Sequence, residues 1–219
     1  MSLLLKIDDP ARPDPGKMAE AVRILKGGGV VAFPTETFYG LGVDARNEAA
    51  VERIFRIKGR DFNKPVALIV AEERDVTPLA EEIPMTAKNL MQRFWPGPLT
   101  ILFRATPAVS NRLTGGTGKI GIRIPGHPIA RLLAAGITGP LTATSANLSG
   151  GTDCSTADAV MQTLGDLPDA IIDGGPTPGE AGSTILDATT LPIRILREGA
   201  IAGSLILNAL RSAENSDPS

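Results

Sequence analysis

Hydrophobic residues along the chain fall into two kinds of pattern. Met18, Ala21 and Leu25 recur at three- and four-residue spacing, which predicts a helix that ends at Gly27. Directly after it, the continuous apolar run 30–33 predicts a buried strand. The two patterns then alternate along the rest of the chain, as they do in α/β proteins.

The same reading predicts about eight strands and five or six helices. The predicted strands are 30–33, 66–71, 99–104, 119–124, 141–144, 170–173, 184–188 and 193–196. The predicted helices are 17–26, 47–59 with Asn47 as its cap, 86–94, 127–135, 155–164 with Ser155 as its cap, and 202–210. Because the later strands follow one another without helices between them, we expect a twisted, open, mixed sheet with flanking helices.

The domain organisation follows from where this alternation begins and ends. Residues 1–16 contain three prolines and several charges, which predict an irregular leader. Composition does not shift sharply between 17 and 210, so residues 17–211 are expected to form a single domain. Residues 212–219 are polar, and we expect them to be a disordered tail.

Composition excludes several classes of protein. The formal net charge is -2 and the pI about 5.5, which gives no general attraction for polyanions or anionic membranes. The single cysteine, Cys154, excludes an internal disulfide framework and a multi-cysteine zinc site. No signal peptide or membrane-spanning run is evident, so we expect a cytoplasmic protein.

Polar residues follow the predicted strand 30–33. Pro34 lacks an amide donor and is expected to end the strand, which leaves Thr35, Glu36 and Thr37 beyond its carboxyl end. Ligands bind at this edge of open α/β sheets. The stretch therefore predicts a functional loop, although ordinary turn residues have the same composition.

Three cations lie at the end of the predicted helix 47–59. Lys58, Arg60 and Lys64 fall within seven residues of one another, and such a cluster suits a triphosphate. The alternative is a solvated basic surface favoured by the helix dipole. The sequence alone leaves both interpretations open.

One arginine lies inside a predicted strand. An inward-facing Arg123 needs a partner, either the carboxylate of an amino-acid ligand or an internal acid such as Glu36. The only histidine, His127, precedes Pro128 at a helix start. It has no neighbouring metal ligands, so we expect a structural role and predict no metal site.

Small polar and cationic residues also follow later strands. Ser145, Asn147 and Ser149 alternate after an apolar strand, and 182–184 and 197–199 repeat this arrangement. With one histidine in the chain, a Ser-His-Asp triad is improbable, so these hydroxyls are expected to contact a ligand rather than attack it. Each stretch alone is equally compatible with a turn.

Six short motifs together resemble the YrdC-like threonylcarbamoyl-AMP synthases, in the order that the family has them. The motifs are Pro34-Thr35-Glu36-Thr37-Phe38-Tyr39-Gly40-Leu41-Gly42, Lys58-Gly59-Arg60, Trp95-Pro96-Gly97-Pro98-Leu99-Thr100, Ile122-Arg123-Ile124-Pro125, Ser145-Ala146-Asn147-Leu148-Ser149-Gly150 and Gly182-Ser183-Thr184. They span almost the whole chain. The resemblance implies a twisted open sheet around a concave cavity.

The resemblance also implies a reaction and a set of ligands. Such an enzyme condenses L-threonine, bicarbonate and ATP to threonylcarbamoyl-AMP and pyrophosphate, for the threonylcarbamoyladenosine modification of tRNA. Threonine would contact Thr35, Thr37, Arg123 and Ser183. ATP, with its Mg²⁺, would contact Lys58, Arg60, Lys64, Lys119, Ser145, Asn147 and Arg197, and the reaction itself would depend on Lys58, Arg60, Ser145 and Asn147.

Two residues depart from the family pattern. Asp61 stands where proline is common, and Asp153 stands where a small hydroxyl residue is usual near ATP. Both place an acid near the expected phosphates. The chain resembles the single-domain form of the family, whose product passes to downstream tRNA-modifying proteins.

Two other functions remain compatible with the sequence. One is a carbamoyl-adenylate domain of the hydrogenase-maturation type, although the cysteine-rich zinc segments of those proteins are missing here. The other is an RNA-binding module, which the net charge and the 4% aromatic content disfavour. A weak contact with tRNA is still compatible with a local basic patch.

Overall fold

The structure is a computed structural model that describes the backbone of residues 1–214 and the side chains of residues 1–211. Its strands are β1 Leu3–Lys6, β2 Val31–Pro34, β3 Tyr39–Gly42, β4 Ala67–Ile69, β5 Leu99–Arg104, β6 Lys119–Arg123, β7 Leu141–Ser145, β8 Ala170–Asp173, β9 Thr184–Asp187 and β10 Arg194–Arg197. Its helices are α1 Pro15–Lys26, α2 Glu48–Lys58, α3 Met85–Phe94, α4 Asn111–Thr114, α5 Pro128–Ile137, α6 Ala157–Leu164 and α7 Gly203–Glu214. A short 3-10 helix spans Glu73–Asp75.

The strands form one mixed sheet in the order β1-β8-β2-β3-β7-β4-β6-β5-β9-β10. Within residues 1–214, the sheet contains four parallel pairs (β1 with β8, β2 with β8, β4 with β6, β5 with β9) and five antiparallel ones, such as β2 with β3. The sheet ends at β1 and β10 and does not close. The expected α/β class with an open mixed sheet and flanking helices is therefore confirmed.

Helices cover both faces of the sheet, which explains why β2 and β3 are buried along their whole length. In β2, Val31 and Phe33 belong to a core cluster under α1 and α5, whereas Ala32 belongs to a cluster under α2, α3, α6 and α7. Successive side chains of a strand point to opposite faces, so one apolar run supplies both cores.

Helix α2 has the local signals that the sequence predicts. The Asn47 side chain accepts a hydrogen bond from the Ala50 amide at 3.1 Å. Gly59 ends the helix in the left-handed conformation, with a φ of 58°. The helix therefore ends at a fixed point, immediately before Arg60.

The expected irregular leader is wrong for part of its length. Residues Leu3–Lys6 form β1, which pairs in parallel with β8, and α1 begins at Pro15 with the Asp14 side chain as its cap. A four-residue strand carries little periodicity, and β1 is a strand because a segment more than 160 residues away supplies its hydrogen bonds. Residues 212–214 of the predicted tail belong to α7, which continues to Glu214, and residues 215–219 lie outside the described residues.

Strand β3 is absent from the sequence-based prediction, which assigned residues 39–42 to a loop. Gly42 lies so close to β7 that a Cβ atom there would be 2.6 Å from the Thr142 carbonyl oxygen. Glycine disfavours an isolated strand but permits this close approach.

The cap of α6 also differs from the prediction, since the Thr156 side chain, not that of Ser155, accepts from the Ala159 amide.

None of the helices within residues 1–214 is long and apolar enough to span a membrane.

A pair of leucine substitutions tests whether β1 is part of the folded sheet. Leu5 is 7% exposed and Leu4 is 46% exposed. We expect Leu5→Ala to lower the free energy of unfolding by about 2–3 kcal/mol, because truncation of a buried leucine leaves a cavity. Leu4→Ala is the matched control and should change it by less than about 0.5 kcal/mol. Urea denaturation measures both, and equal effects would contradict this position of β1.

Candidate active site

A cavity of about 250 Å³ lies over the central strands of the sheet. Its walls come from the β2–β3 turn, the end of α2, strands β4 to β7, and the segments around β9 and β10. The polar residues that line it are Thr35, Thr37, Tyr39, Arg60, Thr100, Arg123, Thr144, Ser145, Asp153, Ser183 and Arg197.

The cavity brings together all four residues expected to bind threonine and three of the seven expected to bind ATP. The predicted site residues on its walls are Thr35, Thr37, Arg60, Arg123, Ser145, Ser183 and Arg197. Within residues 1–214, Lys58, Lys64, Lys119 and Asn147 do not line it. The sequence predicted the helix that ends near Lys58 and the strand that begins at Lys119. It did not predict that the side chains of these four residues lie away from the cavity.

Arg123, the last residue of β6, supplies a buried cation. It is 7% exposed, and one guanidinium nitrogen lies 3.5 Å from a carboxylate oxygen of Glu36. Burial lowers the pKa of Arg123 and the Glu36 charge raises it, but an arginine stays protonated in a protein. Its guanidinium makes no hydrogen bond within residues 1–214, so its donors remain available to an anion in the cavity.

Glu36 compensates the charge of Arg123 without satisfying its hydrogen-bonding groups. Both carboxylate oxygens of Glu36 are buried and lack a hydrogen-bond partner among the described residues. The internal ion pair considered from the sequence is therefore present, but it does not occupy the arginine's donors. The two interpretations of Arg123 are thus compatible.

The β2–β3 turn presents one hydroxyl as an acceptor. Thr35 Oγ1 donates to the Phe38 carbonyl at 2.7 Å and lies 2.9 Å from Thr37 Oγ1. Because the only Thr35 hydroxyl proton is already used, Thr37 must be the donor between the two threonines. The remaining lone pairs of Thr37 then accept from a ligand in the cavity.

A second hydroxyl pair, Thr100 and Ser183, also lines the cavity. Ser183 Oγ lies 2.9 Å from Thr100 Oγ1, and Arg197 donates to the Ser183 carbonyl oxygen at 2.8 and 3.2 Å. Sequence reasoning missed Thr100 as a site residue. The signal was available, because Thr100 is the only hydroxyl residue of the predicted strand 99–104 and lies two residues after the Pro-Gly-Pro turn.

Arg60 is the predicted phosphate-binding cation that does face the cavity. It donates to the Pro65 carbonyl at 2.7 Å, while its Nε is buried without a partner among the described residues. Burial lowers its pKa. Asp61 is exposed and accepts from the Asn63 amide, so this departure from the family pattern points away from the cavity.

Lys58 and Asn147 lie behind the cavity wall and bind each other. Lys58 Nζ donates to the Asn147 side-chain oxygen at 2.9 Å, and the Asn147 amide nitrogen donates to Asp153 at 3.1 Å. Burial, reinforced by the charge of Arg60, lowers the pKa of Lys58 to about 8. Asp153, the second residue that departs from the family pattern, does line the cavity.

The remaining predicted residues have partners or positions elsewhere. Lys119 forms an ion pair with Asp187 at 2.8 Å. Burial alone would raise the pKa of Asp187, but hydrogen bonds from Lys119 and Thr189 lower it overall. Lys64 is exposed. His127 caps α5 by accepting from the Ile129 amide at 3.3 Å, and burial lowers its pKa.

A protein-family model described as "Telomere recombination", that of Sua5, YciO and YrdC, matches residues 23–199. The chain belongs to the Sua5/YciO/YrdC family. The resemblance drawn from the six motifs is therefore confirmed, and the matched range contains every element that lines the cavity.

Curated and solved relatives of the Sua5/YciO/YrdC chain agree with this assignment. A threonylcarbamoyl-AMP synthase of Bacillus subtilis is 41% identical over 196 residues, 89% of this chain and 56% of that protein. One of Vibrio vulnificus is 38% identical over 184 residues, 83% of this chain and 98% of that protein. Sua5 of Pyrococcus abyssi in complex with L-threonine superimposes with a TM-score of 0.90 at 36% identity, over 95% of this chain and 60% of that one.

The chain therefore spans little more than half the length of the B. subtilis and P. abyssi relatives, and nearly the whole of the V. vulnificus one.

The pKa of Tyr39 tests whether water is excluded from the part of the cavity wall that this residue forms. It is the only tyrosine, and its hydroxyl donates to the Gly175 carbonyl at 2.7 Å. Burial raises its pKa to about 12. An unfolded tyrosine ionises near pH 10, so the folded state retains the proton longer and stability should fall between about pH 10 and pH 12.

An absorbance titration of tyrosinate measures this ionisation without interference from other tyrosines. We expect the native protein to ionise near pH 12 and the denatured chain near pH 10. Ionisation of the native protein near pH 10 would contradict the burial of Tyr39.

Proposed function

We propose that this chain is a threonylcarbamoyl-AMP synthase, which condenses L-threonine, bicarbonate and ATP to threonylcarbamoyl-AMP and pyrophosphate. The observation that carries the proposal is the buried Arg123 guanidinium, whose donors face a cavity lined with hydroxyls. Family membership and the names of the relatives support it. The product would serve downstream proteins that make threonylcarbamoyladenosine in tRNA.

Threonine would bind between Arg123 and the two hydroxyl pairs. The planar guanidinium matches a carboxylate in a bidentate manner. Thr37 Oγ1 presents lone pairs to the substrate's donors, and Ser183 and Thr35 complete the polar end of the site. This arrangement holds the amino group in the cavity, where it can react.

ATP would bind beside threonine, close to Arg60, Arg197 and Ser145. These cations and this hydroxyl line the same cavity, so their charges reach phosphates without rearrangement. Lys119 is bonded to Asp187 and Lys64 is exposed, so both would act on ATP through longer-range attraction. Mg²⁺ would accompany ATP, with phosphate oxygens and water as its main ligands.

The reaction needs orientation and charge neutralisation more than a dedicated base. The threonine amine adds to CO₂ derived from bicarbonate and loses a proton, which gives a carbamate. A carbamate oxygen then attacks the α-phosphorus as the bond from that phosphorus to the bridging oxygen breaks and pyrophosphate leaves. Arg60 and Arg197 offset the charge that develops on the phosphates.

Pyrophosphate release tests the proposal. Purified protein should release pyrophosphate from ATP only when L-threonine and bicarbonate are both present. Arg123→Ala should lower kcat/KM for threonine by a factor that corresponds to about 1.5–3 kcal/mol, because a charge-assisted pair with the carboxylate is lost.

The matched control is Arg131→Ala, which removes an exposed arginine on α5 and should leave the kinetics unchanged. Release that ignores threonine would contradict the synthase and favour a carbamoyl-adenylate activity. RNA binding that survives removal of ATP and threonine and weakens steeply with salt would favour the RNA-binding alternative.

Discrimination between threonine and serine should be modest. The apolar part of the cavity wall includes Val66, Leu68 and Ile185, and it can recognise only the single methyl group by which the two substrates differ. One methyl is worth about 1–3 kcal/mol, so we expect kcat/KM for threonine to exceed that for serine roughly 10- to 200-fold. Equal values from pyrophosphate assays would show that the methyl group does not contact this wall.

A further inference from the structure

The side chain of Lys58 has no donor left for a phosphate. Its ammonium nitrogen donates to the Ser145 carbonyl at 2.5 Å, the Asn147 carbonyl at 2.8 Å and the Asn147 side-chain oxygen at 2.9 Å. An ammonium group has three N–H donors, and these three oxygens use them all. Lys58 is 2% exposed and does not line the cavity formed by residues 1–214.

The backbone of Lys58 binds the same segment. The Ser149 amide donates to the Lys58 carbonyl oxygen at 2.8 Å. Four hydrogen bonds therefore connect one residue at the end of α2 to residues 145–149. Since Gly59 fixes the end of α2, Lys58 is a rigid point of attachment for this segment.

Asn147 extends this connection to the cavity wall. Its side-chain oxygen accepts from both Lys58 and Ser145 Oγ, and its amide nitrogen donates to the Gly151 carbonyl at 2.6 Å and to Asp153 at 3.1 Å. The cavity-lining members of this network are Ser145 and Asp153. Their positions thus depend on a bond made behind the wall.

We propose that Lys58 is a positioning residue for the segment 145–153, which we call the wall loop, and that it does not bind phosphate itself. It holds Ser145 and Asp153 at the cavity, while Arg60 and Arg197 supply the charge that faces the nucleotide. The identification of that nucleotide as ATP rests on the proposed function. The hydrogen bonds of the wall loop do not.

The ionisation of Lys58 gives the proposal a pH dependence. Burial is the largest cause of its pKa of about 8; the charge of Arg60 also lowers that pKa, whereas the neighbouring Asp153 and Cys154 raise it. Below that pH the ammonium makes all three bonds. Above it the neutral amine has two N–H groups and one bond is lost, so the order of the wall loop should decrease as the pH rises through about 8.

Two substitutions separate positioning from phosphate binding. Lys58→Arg keeps the charge, but a planar guanidinium cannot direct donors to three oxygens that surround a tetrahedral ammonium. Lys58→Met removes both charge and donors. The matched control, Lys26→Met, removes an exposed lysine at the end of α1 that does not line the cavity.

Hydrogen exchange of the ATP-free protein is the first readout, because it requires neither nucleotide nor turnover. We expect both Lys58 variants to lower the protection factors of residues 145–153 by about tenfold and to leave those of β5 unchanged. Lys26→Met should match the wild type in both measurements. ATP affinity, measured by equilibrium binding, should fall about tenfold or more in Lys58→Arg and in Lys58→Met alike.

Unchanged protection in both variants, together with weaker ATP binding in Lys58→Met and near-normal binding in Lys58→Arg, would overturn the proposal in favour of a phosphate ligand. If the variants fail to fold, hydrogen exchange of the wild-type protein as a function of pH tests the proposal instead. The wall-loop protection factors must fall as the pH rises through about 8, and constant values would overturn the proposal.

The two proposals can fail separately. Loss of wall-loop protection in a protein that releases no threonine-dependent pyrophosphate would retain the role of Lys58 and reject the synthase. Threonine-dependent release of pyrophosphate with unchanged protection in both Lys58 variants would support the synthase and reject the positioning role of Lys58.

Discussion

The site depends on an arginine that the fold buries and pairs with a single carboxylate. Removal of a guanidinium from water is costly unless an opposite charge lies near, and Glu36 provides that charge at 3.5 Å from Arg123. Glu36 lies in the turn that joins β2 to β3, so the pairing of these strands fixes the counter-charge. Because the pair makes no hydrogen bond between its members, the arginine is neutralised but still able to bind an anion.

Around this pair, the sheet divides cations into those that face the cavity and those that support its walls. Arg60 and Arg197 face inward, whereas Lys58 and Lys119 are bonded to Asn147 and Asp187. A cluster of positive charge that looks uniform in the sequence thus has two physical roles. Lys58 binds the segment that contains Ser145 and Asp153, two residues of the cavity wall, whereas the partner of Lys119 does not line the cavity formed by the described residues.

Local signals made much of the fold predictable. The Asn47 side-chain cap and the left-handed Gly59 fix the two ends of α2, and both residue types are recognisable in the sequence. The apolar run of β5 predicted the bounds of that strand. Strand β1 was missed because its hydrogen bonds come from β8, which is distant in the sequence, and β3 was missed because two of its four residues are glycines, which disfavour an isolated strand. The candidate site was also predictable only in part. The positions of Thr37, Arg123 and Ser183 near strand ends identified them as candidate site residues. The oxygens that bind Lys58 and Lys119 lie more than 60 residues away in the sequence, so no local pattern shows that these lysines do not line the cavity.

Equilibrium binding of L-threonine and of L-threoninamide to the free protein tests the role of Arg123 most directly, since the amide replaces the negative carboxylate by a neutral group of similar size and shape. If Arg123 binds the carboxylate, the wild type should bind threonine at least about tenfold more tightly than the amide, and Arg123→Ala should abolish that preference. Equal affinity of the wild type for both ligands, or an undiminished preference in Arg123→Ala, would contradict this account of the site.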